Sequence, residues 1–371
     1  MPEPIRILHM IGSFEMGGSQ AMVLNLYRSI DRSKVQFDFV IDHPDLNTLL
    51  PAFEELGAKI FIMPSFNGIN ILKIRNRWDS FFKEHPEYKV LHSHVRSYAS
   101  VYLSVAKKNG VKTIIHSHSI SNGFGFSSYI KAIMQFPLRY QADYLFACSE
   151  KAGEWLFGKN ATKKKNFYMI SNAIDGERFE FNEIKRLQIR KKLGIEDKFV
   201  IGHVGRFTES KNHIFLIEVF EEICRARDDA VLLLVGDGML KDKIENKILS
   251  LGLEGKVLLM GNRSNTEDFY QIMDIFMFPS LWEGLGIAVV EAQASGLTCF
   301  ISDSIPLEVD LGVGLISVIS LEESASVWAN QIVNQNRLKR KGWKEAVVNA
   351  GFDMKRNGQF LQTFYMKIFE K

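Results

Sequence analysis

The sequence predicts an α/β protein made of two Rossmann-like domains that face each other across a cleft. Three observations carry this reading. Short apolar runs alternate with amphipathic helical stretches along the whole chain, the pattern of parallel strands covered on both faces. The pattern runs through once, meets a turn-rich connection at 172–179, and then starts again. The length of 371 residues exceeds what one ordinary core holds.

Taken in order, Ile5–Met10 reads as the first strand and Gly12–Gly18 as a glycine-containing loop. Ser19 is placed to cap a helix whose apolar face carries Met22, Val23, Leu26, Tyr27 and Ile30. Strands are expected at Phe37–Ile41, Lys59–Met63, Val90–Ser93, Lys112–His116, Tyr144–Cys148 and Phe167–Ile170, with helical segments between most of them. After the connection comes a basic helix, Lys185–Leu193, and a new strand, Phe199–Val204. A helix begins near Asn212, and further strands fit Val231–Val235, Val257–Leu259, Ile275–Phe278, Thr298–Ile301 and Gly314–Val318. The final segment, Asp353–Phe369, spaces Phe360, Leu361, Phe364, Tyr365 and Ile368 as one helical face. The expected division is 1–174, 175–352 and a C-terminal helix in 353–371.

Composition narrows the function classes. Apolar residues make up 46% and charged residues 24%, which is globular composition and excludes disordered and collagen-like chains. A formal net charge of +3 gives no global field of the kind a nucleic-acid binder carries, so no nucleic-acid partner is expected. Cys148, Cys224 and Cys299 are widely separated and lack a CxxC spacing, which speaks against a disulfide framework or a zinc site. No basic stretch followed by an apolar one opens the chain, and no apolar run reaches the roughly 20 residues that span a bilayer. A cytoplasmic protein is expected.

Three loops can carry chemistry. Glu283-Gly284-Leu285-Gly286-Ile287 follows the strand Ile275–Phe278 and leads into a helix that holds Glu291. Backbone N–H groups at such a helix N-terminus bind phosphate oxygens, and a carboxylate at Glu291 can accept both hydroxyls of a ribose. Alone, the stretch also fits a helix with one acidic residue near its start and one solvated glutamate. Gly205-Arg206 and Lys211 follow the strand Phe199–Val204 and bring a guanidinium and an ammonium into one strand-end loop, suited to a diphosphate. Gly17-Gly18 lies before the first helix, where glycines let a ligand approach the backbone, although a plain strand–helix turn fits equally.

Together, Gly17-Gly18, Gly205-Arg206 with Lys211, and the glutamate pair Glu283/Glu291 resemble the retaining family 4 glycosyltransferases of the GT-B fold. The resemblance spans essentially the whole chain and includes Ser171-Asn172-Ala173-Ile174-Asp175, where the family usually has a glycine in place of Ala173. Val35–Phe39, His92-Ser93-His94 and Ile115-His116-Ser117-His118-Ser119 are similar to exopolysaccharide and capsule enzymes of that family. The resemblance implies a transferase that moves sugar from a nucleotide sugar, with uridine as base, to a glycan or lipid-linked acceptor, with retention. By the same resemblance Glu291 binds the ribose, and Glu283 and the backbone at Gly284, Leu285, Gly286 and Ile287 bind the donor sugar. Arg206 and Lys211 hold the diphosphate, Gly17 and Gly18 line the phosphate and acceptor side, and His116 lies near the transferred sugar, with His118 as the alternative register. The 1–174 domain then serves the acceptor and 175–352 the donor, and the C-terminal helix crosses back to the first.

No Asp-x-Asp occurs in the chain, and no metal or other cofactor is expected. Two readings of 124–140, with Lys131, Arg139 and the nearby Lys163–Lys165, stand side by side: an ordinary core helix with a solvated charge run, or a helix that touches an anionic membrane surface. Competing functions are a nucleotide-sugar epimerase or phosphorylase of the same fold, and a non-catalytic nucleotide- or carbohydrate-binding partner. Gly236-Asp237-Gly238 lacks the spacing of a dinucleotide fingerprint, which weakens an oxidoreductase reading.

Overall fold

The computed structural model describes residues 3–15, 17–45, 47–120, 126–335 and 339–370. Met16 of the first glycine loop and Phe124 of the basic-aromatic stretch lie outside these. The chain forms two compact units, one of residues 1–174 with 353–371, the other of 175–352.

The first unit carries β1 (Ile5–Gly12), β2 (Val35–Ile41), β3 (Ile60–Ile62), β4 (Val90–Ser93), β5 (Lys112–Ser117), β6 (Tyr144–Ala147) and β7 (Phe167–Met169). They form one sheet in the order β3-β2-β1-β4-β5-β6-β7, and every pair is parallel. Side chains alternate across β1 as the two-residue period of a strand requires. Leu8 and Met10 enter a core with Trp78, Tyr102 and Leu145 on one face. Ile7 and Ile11 enter another with Phe37, Phe39 and Tyr365 on the opposite face. That second core is closed by the helices Gly18–Ser29 and Met354–Phe369, the latter burying Leu361, Phe364, Tyr365 and Ile368. Asp353 caps the last helix by accepting from the Arg356 N–H, and Met354 N–H donates to the Ile174 carbonyl.

The second unit carries β8 (Phe199–Val204), β9 (Ala230–Val235), β10 (Val257–Leu259), β11 (Ile275–Phe278), β12 (Thr298–Ser302) and β13 (Ile316–Ile319). Their order is β10-β9-β8-β11-β12-β13, again wholly parallel. The helix His213–Ala226 buries Leu216, Val219, Phe220 and Ile223 against this sheet together with Trp328.

Two local readings change. Ser19 does not cap the first helix: Gly17 holds the cap position without a side-chain bond, and the Ser19 hydroxyl turns to Gln20. The last strand starts at Ile316 rather than Gly314, because Gly312 and Gly314 both take a φ of 70° and belong to the turn before it.

Candidate functional site

Each sheet reverses its strand order once, between β1 and β4 in the first unit and between β8 and β11 in the second. Ligands of open parallel sheets bind beyond the strand carboxyl ends at such a reversal, because the loops there diverge and leave a crevice. The residues singled out in the sequence gather at these two places.

In the second unit, the loop after β8 and the loop after β11 meet. Leu281 N–H donates to the Ser210 carbonyl at 2.8 Å, which ties the two loops together. Lys211 Nζ then lies 2.5 Å from Glu283 Oε1 and 4.6 Å from the centre of the Phe278 ring. Both partners are mostly buried, so the pair shares its desolvation and the ammonium is held beyond the carboxyl ends of the two central strands. Arg206 is exposed, and among the described residues its guanidinium has no hydrogen-bond or ion-pair partner. It is free to close on an anion.

The backbone of this loop is held by the Gly236-Asp237-Gly238 turn after β9. Phe207 N–H donates to the Asp237 carbonyl at 2.9 Å, and Leu240 N–H donates to the Phe207 carbonyl at 3.1 Å. A Cβ on Gly236 would stand 2.0 Å from the Gly205 carbonyl oxygen, so only glycine permits this packing. The glycine pair that fails as a dinucleotide fingerprint thus has a mechanical role under Arg206.

Gly286, with φ at 92°, turns the chain into the helix Ile287–Ala294. Leu285 is buried, so only its backbone can serve a ligand. Glu291 lies in the second turn of that helix and accepts a hydrogen bond from the Tyr270 hydroxyl at 2.7 Å. Burial pushes its carboxyl up to about 7; Tyr270 opposes the rise, Glu267 adds to it, and Arg178 and Lys211 oppose it. Tyr270, itself fully buried, was not marked by any sequence signal, since an aromatic residue on an amphipathic helix reads as core.

In the first unit, Gly17 caps the helix Gly18–Ser29 in an extended conformation open to any residue. A Cβ on Gly18 would meet nothing within 4 Å among the described residues. The fold does not demand a glycine at Gly18, which leaves that helix N-terminus open for approach from outside.

Beside the reversal of the first sheet lie His9 on β1, His92 and His94 at the end of β4, and His116 and His118 at the end of β5. His9 and His92 are direct partners across the strands, and all five rings share one face of the sheet. His9 Nδ1 lies 3.1 Å from His94 Nε2, and His94 Nδ1 lies 2.8 Å from His118 Nε2. His92 Nδ1 meets the Tyr365 hydroxyl at 2.5 Å. His116 is fully enclosed and stacks on His118 at 4.0 Å, whereas His118 keeps part of its surface exposed. Burial drives all five toward the neutral form, His94 to about 3. His9, His92 and His94, and likewise His94, His116 and His118, each present ring nitrogens within 4.8 Å of one another, a set able to hold a transition-metal ion. An ion on both nitrogens of His94 would displace both ring-to-ring hydrogen bonds. The sequence marks the two His-x-His pairs but not His9, which only the β1–β4 register brings in.

The helices Phe126–Gln135 and Leu138–Gln141 turn Met134 and Leu138 inward, while Tyr129, Ile130, Ile133, Phe136 and Tyr140 stay exposed. Arg139 covers the Phe136 ring and Lys164 the Tyr140 ring, so cations border this apolar face. Among the described residues no helix is long and apolar enough to cross a membrane.

Comparison with known proteins fits this geometry. Residues 185–311 match the family described as Glycosyl transferases group 1, and residues 16–178 match Glycosyltransferase Family 4. The chain is 35% identical to the provisionally assigned glycosyltransferase EpsF of Bacillus subtilis (strain 168) over 368 residues, 97% of this chain and 96% of EpsF. It is 25% identical to an Escherichia coli UDP-Gal:alpha-D-GlcNAc-diphosphoundecaprenol alpha-1,3-galactosyltransferase, over 81% of this chain and 79% of that one. Among solved structures, Anabaena HepE in complex with UDP and glucose superposes with a TM-score of 0.78 at 18% identity, covering 98% of this chain and 99% of HepE. At that identity the likeness speaks for the fold.

Proposed function

This chain belongs to glycosyltransferase family 4 and is a hexosyltransferase-type enzyme of the GT-B fold, and from that premise we propose that it moves a hexose from a UDP-sugar, with retention, to a glycan or lipid-linked acceptor in exopolysaccharide or capsule synthesis. The observation that carries the donor side is the joining of Lys211, Glu283 and Glu291 around the N-terminus of the helix Ile287–Ala294.

Glu291 accepts the ribose hydroxyls, and Arg206 and Lys211 take the diphosphate charge. The helix N-terminus adds backbone N–H groups where charge grows on the leaving phosphate. Glu283, already fixed by Lys211, accepts from hydroxyls of the donor sugar. With cations and helix dipole in place, departure of the diphosphate proceeds without a metal ion. Retention follows a front-face course. The C1–O bond to phosphate breaks, the acceptor oxygen bonds C1 on the same face, and the acceptor proton passes to the leaving phosphate oxygen. Of the two histidines at the end of β5, we assign the sugar contact to His118, the one with exposed surface. Uracil as the base is supported by the UDP named in the HepE structure and the UDP-Gal named in the galactosyltransferase. The exposed face of Tyr129, Ile130, Ile133, Phe136 and Tyr140, with its bordering cations, suits an anionic membrane surface on the cytoplasmic side, where a lipid-linked acceptor is presented.

Calorimetric titration with UDP, GDP, ADP and their glucose conjugates, in the presence of chelator, tests this. Binding restricted to the uridine compounds, undiminished by chelator, is expected. Preference for another base, or binding only with a divalent ion, would overturn the donor assignment.

A further inference from the structure

His94 has both ring nitrogens engaged by other imidazoles, toward His9 on one side and His118 on the other. A neutral imidazole has one N–H and one lone pair. His94 therefore donates to one neighbour and accepts from the other, and its orientation sets the tautomer of both. If His94 Nδ1 carries the proton, it donates to His118 Nε2, and His118 must hold its own proton on Nδ1. If His94 Nε2 carries it, His118 Nε2 donates to His94 and His118 Nδ1 is a bare acceptor. His118 Nδ1 and His9 Nε2, the two ends of the chain, have no hydrogen-bond partner among the described residues.

We propose that His94 is a positioning residue that fixes which nitrogen of His118 carries the proton, and so whether the buried Nδ1 of His118, unpartnered among the described residues, offers a proton or a lone pair. This rests on the assignment of the sugar contact to His118. The chain works by tautomer rather than by charge. Burial and the neighbouring His116, His94 and Arg96 all hold His118 neutral. His9 meets the aromatic rings of Phe37, Phe39 and Tyr365, and among the described residues its Nδ1 has His94 as its hydrogen-bond partner. The His94 and His118 ring planes lie within 22° of each other with centroids 5.1 Å apart, the edge-to-edge arrangement in which an in-plane N–H points at the facing nitrogen. His92 stands outside the chain, because its Nδ1 is taken by Tyr365. It provides an internal control.

The test is long-range ¹⁵N–¹H correlation spectroscopy of the full chain labelled at histidine, which reads the tautomer of each ring directly. His118→Gln assigns the His118 signals. In the unsubstituted protein His118 shows a single neutral tautomer. In His94→Phe, which keeps a flat ring but no hydrogen bond, the His118 and His9 patterns change while His92 keeps its own. In His94→Asn, whose amide reaches the place of Nδ1 and offers either a donor or an acceptor, His118 Nε2 regains a partner and a single His118 tautomer is expected again. UDP affinity, measured alongside, stays the same and shows that the variants fold. An unchanged His118 pattern in His94→Phe overturns the proposal. Release of UDP from UDP-glucose, with the glucosyl group passing to water, separates this from the assignment beneath it. His94→Phe is expected to slow release on the order of tenfold or more at unchanged donor affinity. If His118→Ala leaves release intact, the sugar contact of His118 fails, whatever the tautomers show.

Discussion

Replacing Glu291 by Gln separates what its carboxylate does for the ligand from what it does to the fold. The carboxyl sits at about 7 instead of its ordinary 4.5, chiefly through burial. The folded protein thus holds a proton that the unfolded chain has released between those values. Stability falls as pH rises through that window, and above about 7 the protein carries the whole cost of a buried carboxylate, at most about 3 kcal/mol. Gln keeps the shape and can still accept from Tyr270, but never ionises. Glu291→Gln is therefore expected to melt higher than the parent at about pH 8, by up to about 10 °C, because each kcal/mol moves a unit of this size by about 2–4 °C. The two proteins converge near about pH 4, below the unfolded value. Ligand binding goes the opposite way. Only the ionised carboxylate accepts from both ribose hydroxyls, so parent affinity for UDP-glucose falls roughly tenfold from about pH 8 to about pH 6, as the competent fraction drops. UDP-glucose is the right probe because its diphosphate is esterified at both ends and does not itself titrate there. In Glu291→Gln the pH dependence disappears and affinity at about pH 8 drops by about 10–100-fold, the loss of a charged hydrogen-bond acceptor. Scanning calorimetry and titration calorimetry over the same pH series read both effects. A variant that binds UDP-glucose like the parent, or that melts like it at every pH, refutes the role and the working above.

Two further expectations concern the β8 loop and the exposed helix. Arg206→Ala weakens UDP binding about tenfold without moving the melting temperature, since the side chain is exposed and unpaired among the described residues. Gly236→Ala reaches a similar loss with a lower melting temperature, because its Cβ would press on the Gly205 carbonyl. For the apolar face, co-sedimentation with vesicles containing phosphatidylglycerol is expected to fall sharply in Ile133→Glu and in Phe136→Glu, whose parent side chains are exposed, and to weaken as salt rises. Equal sedimentation of variants and parent would remove the membrane reading.

The fold was legible because parallel strands are buried on both faces and appear as apolar runs, as in Val-Leu-Leu-Leu-Val at the end of β9. All thirteen expected strands form, with ends displaced by a residue or two where turns compete, as at Gly314. The residues proposed for the donor side stand out in the sequence because Arg206, Lys211, Glu283 and Glu291 lie close to glycines at strand ends, a local pattern, and the structure joins Lys211 to Glu283. What was not legible depends on contacts distant in sequence. Tyr270 meets Glu291 only through helix packing, and His9 joins His94 only through the β1–β4 register. Between His116 and His118 the sequence offered no choice, because residues two apart on a strand share a face; burial distinguishes them.

The helix Met354–Phe369 completes the core of a unit whose first 174 residues leave the ribosome long before it. At about 5–20 residues per second, the intervening segment takes roughly 10–40 s to make. During that time Phe37 and Phe146 lack the aromatic rings of Tyr365 and Phe364 that pack on them, and His92 lacks its hydroxyl partner. The histidine layer is thus finished last, after the other unit has been synthesised. Order of synthesis keeps a half-made chain from presenting a finished site, and leaves an aromatic surface for chaperones to shelter in the interval.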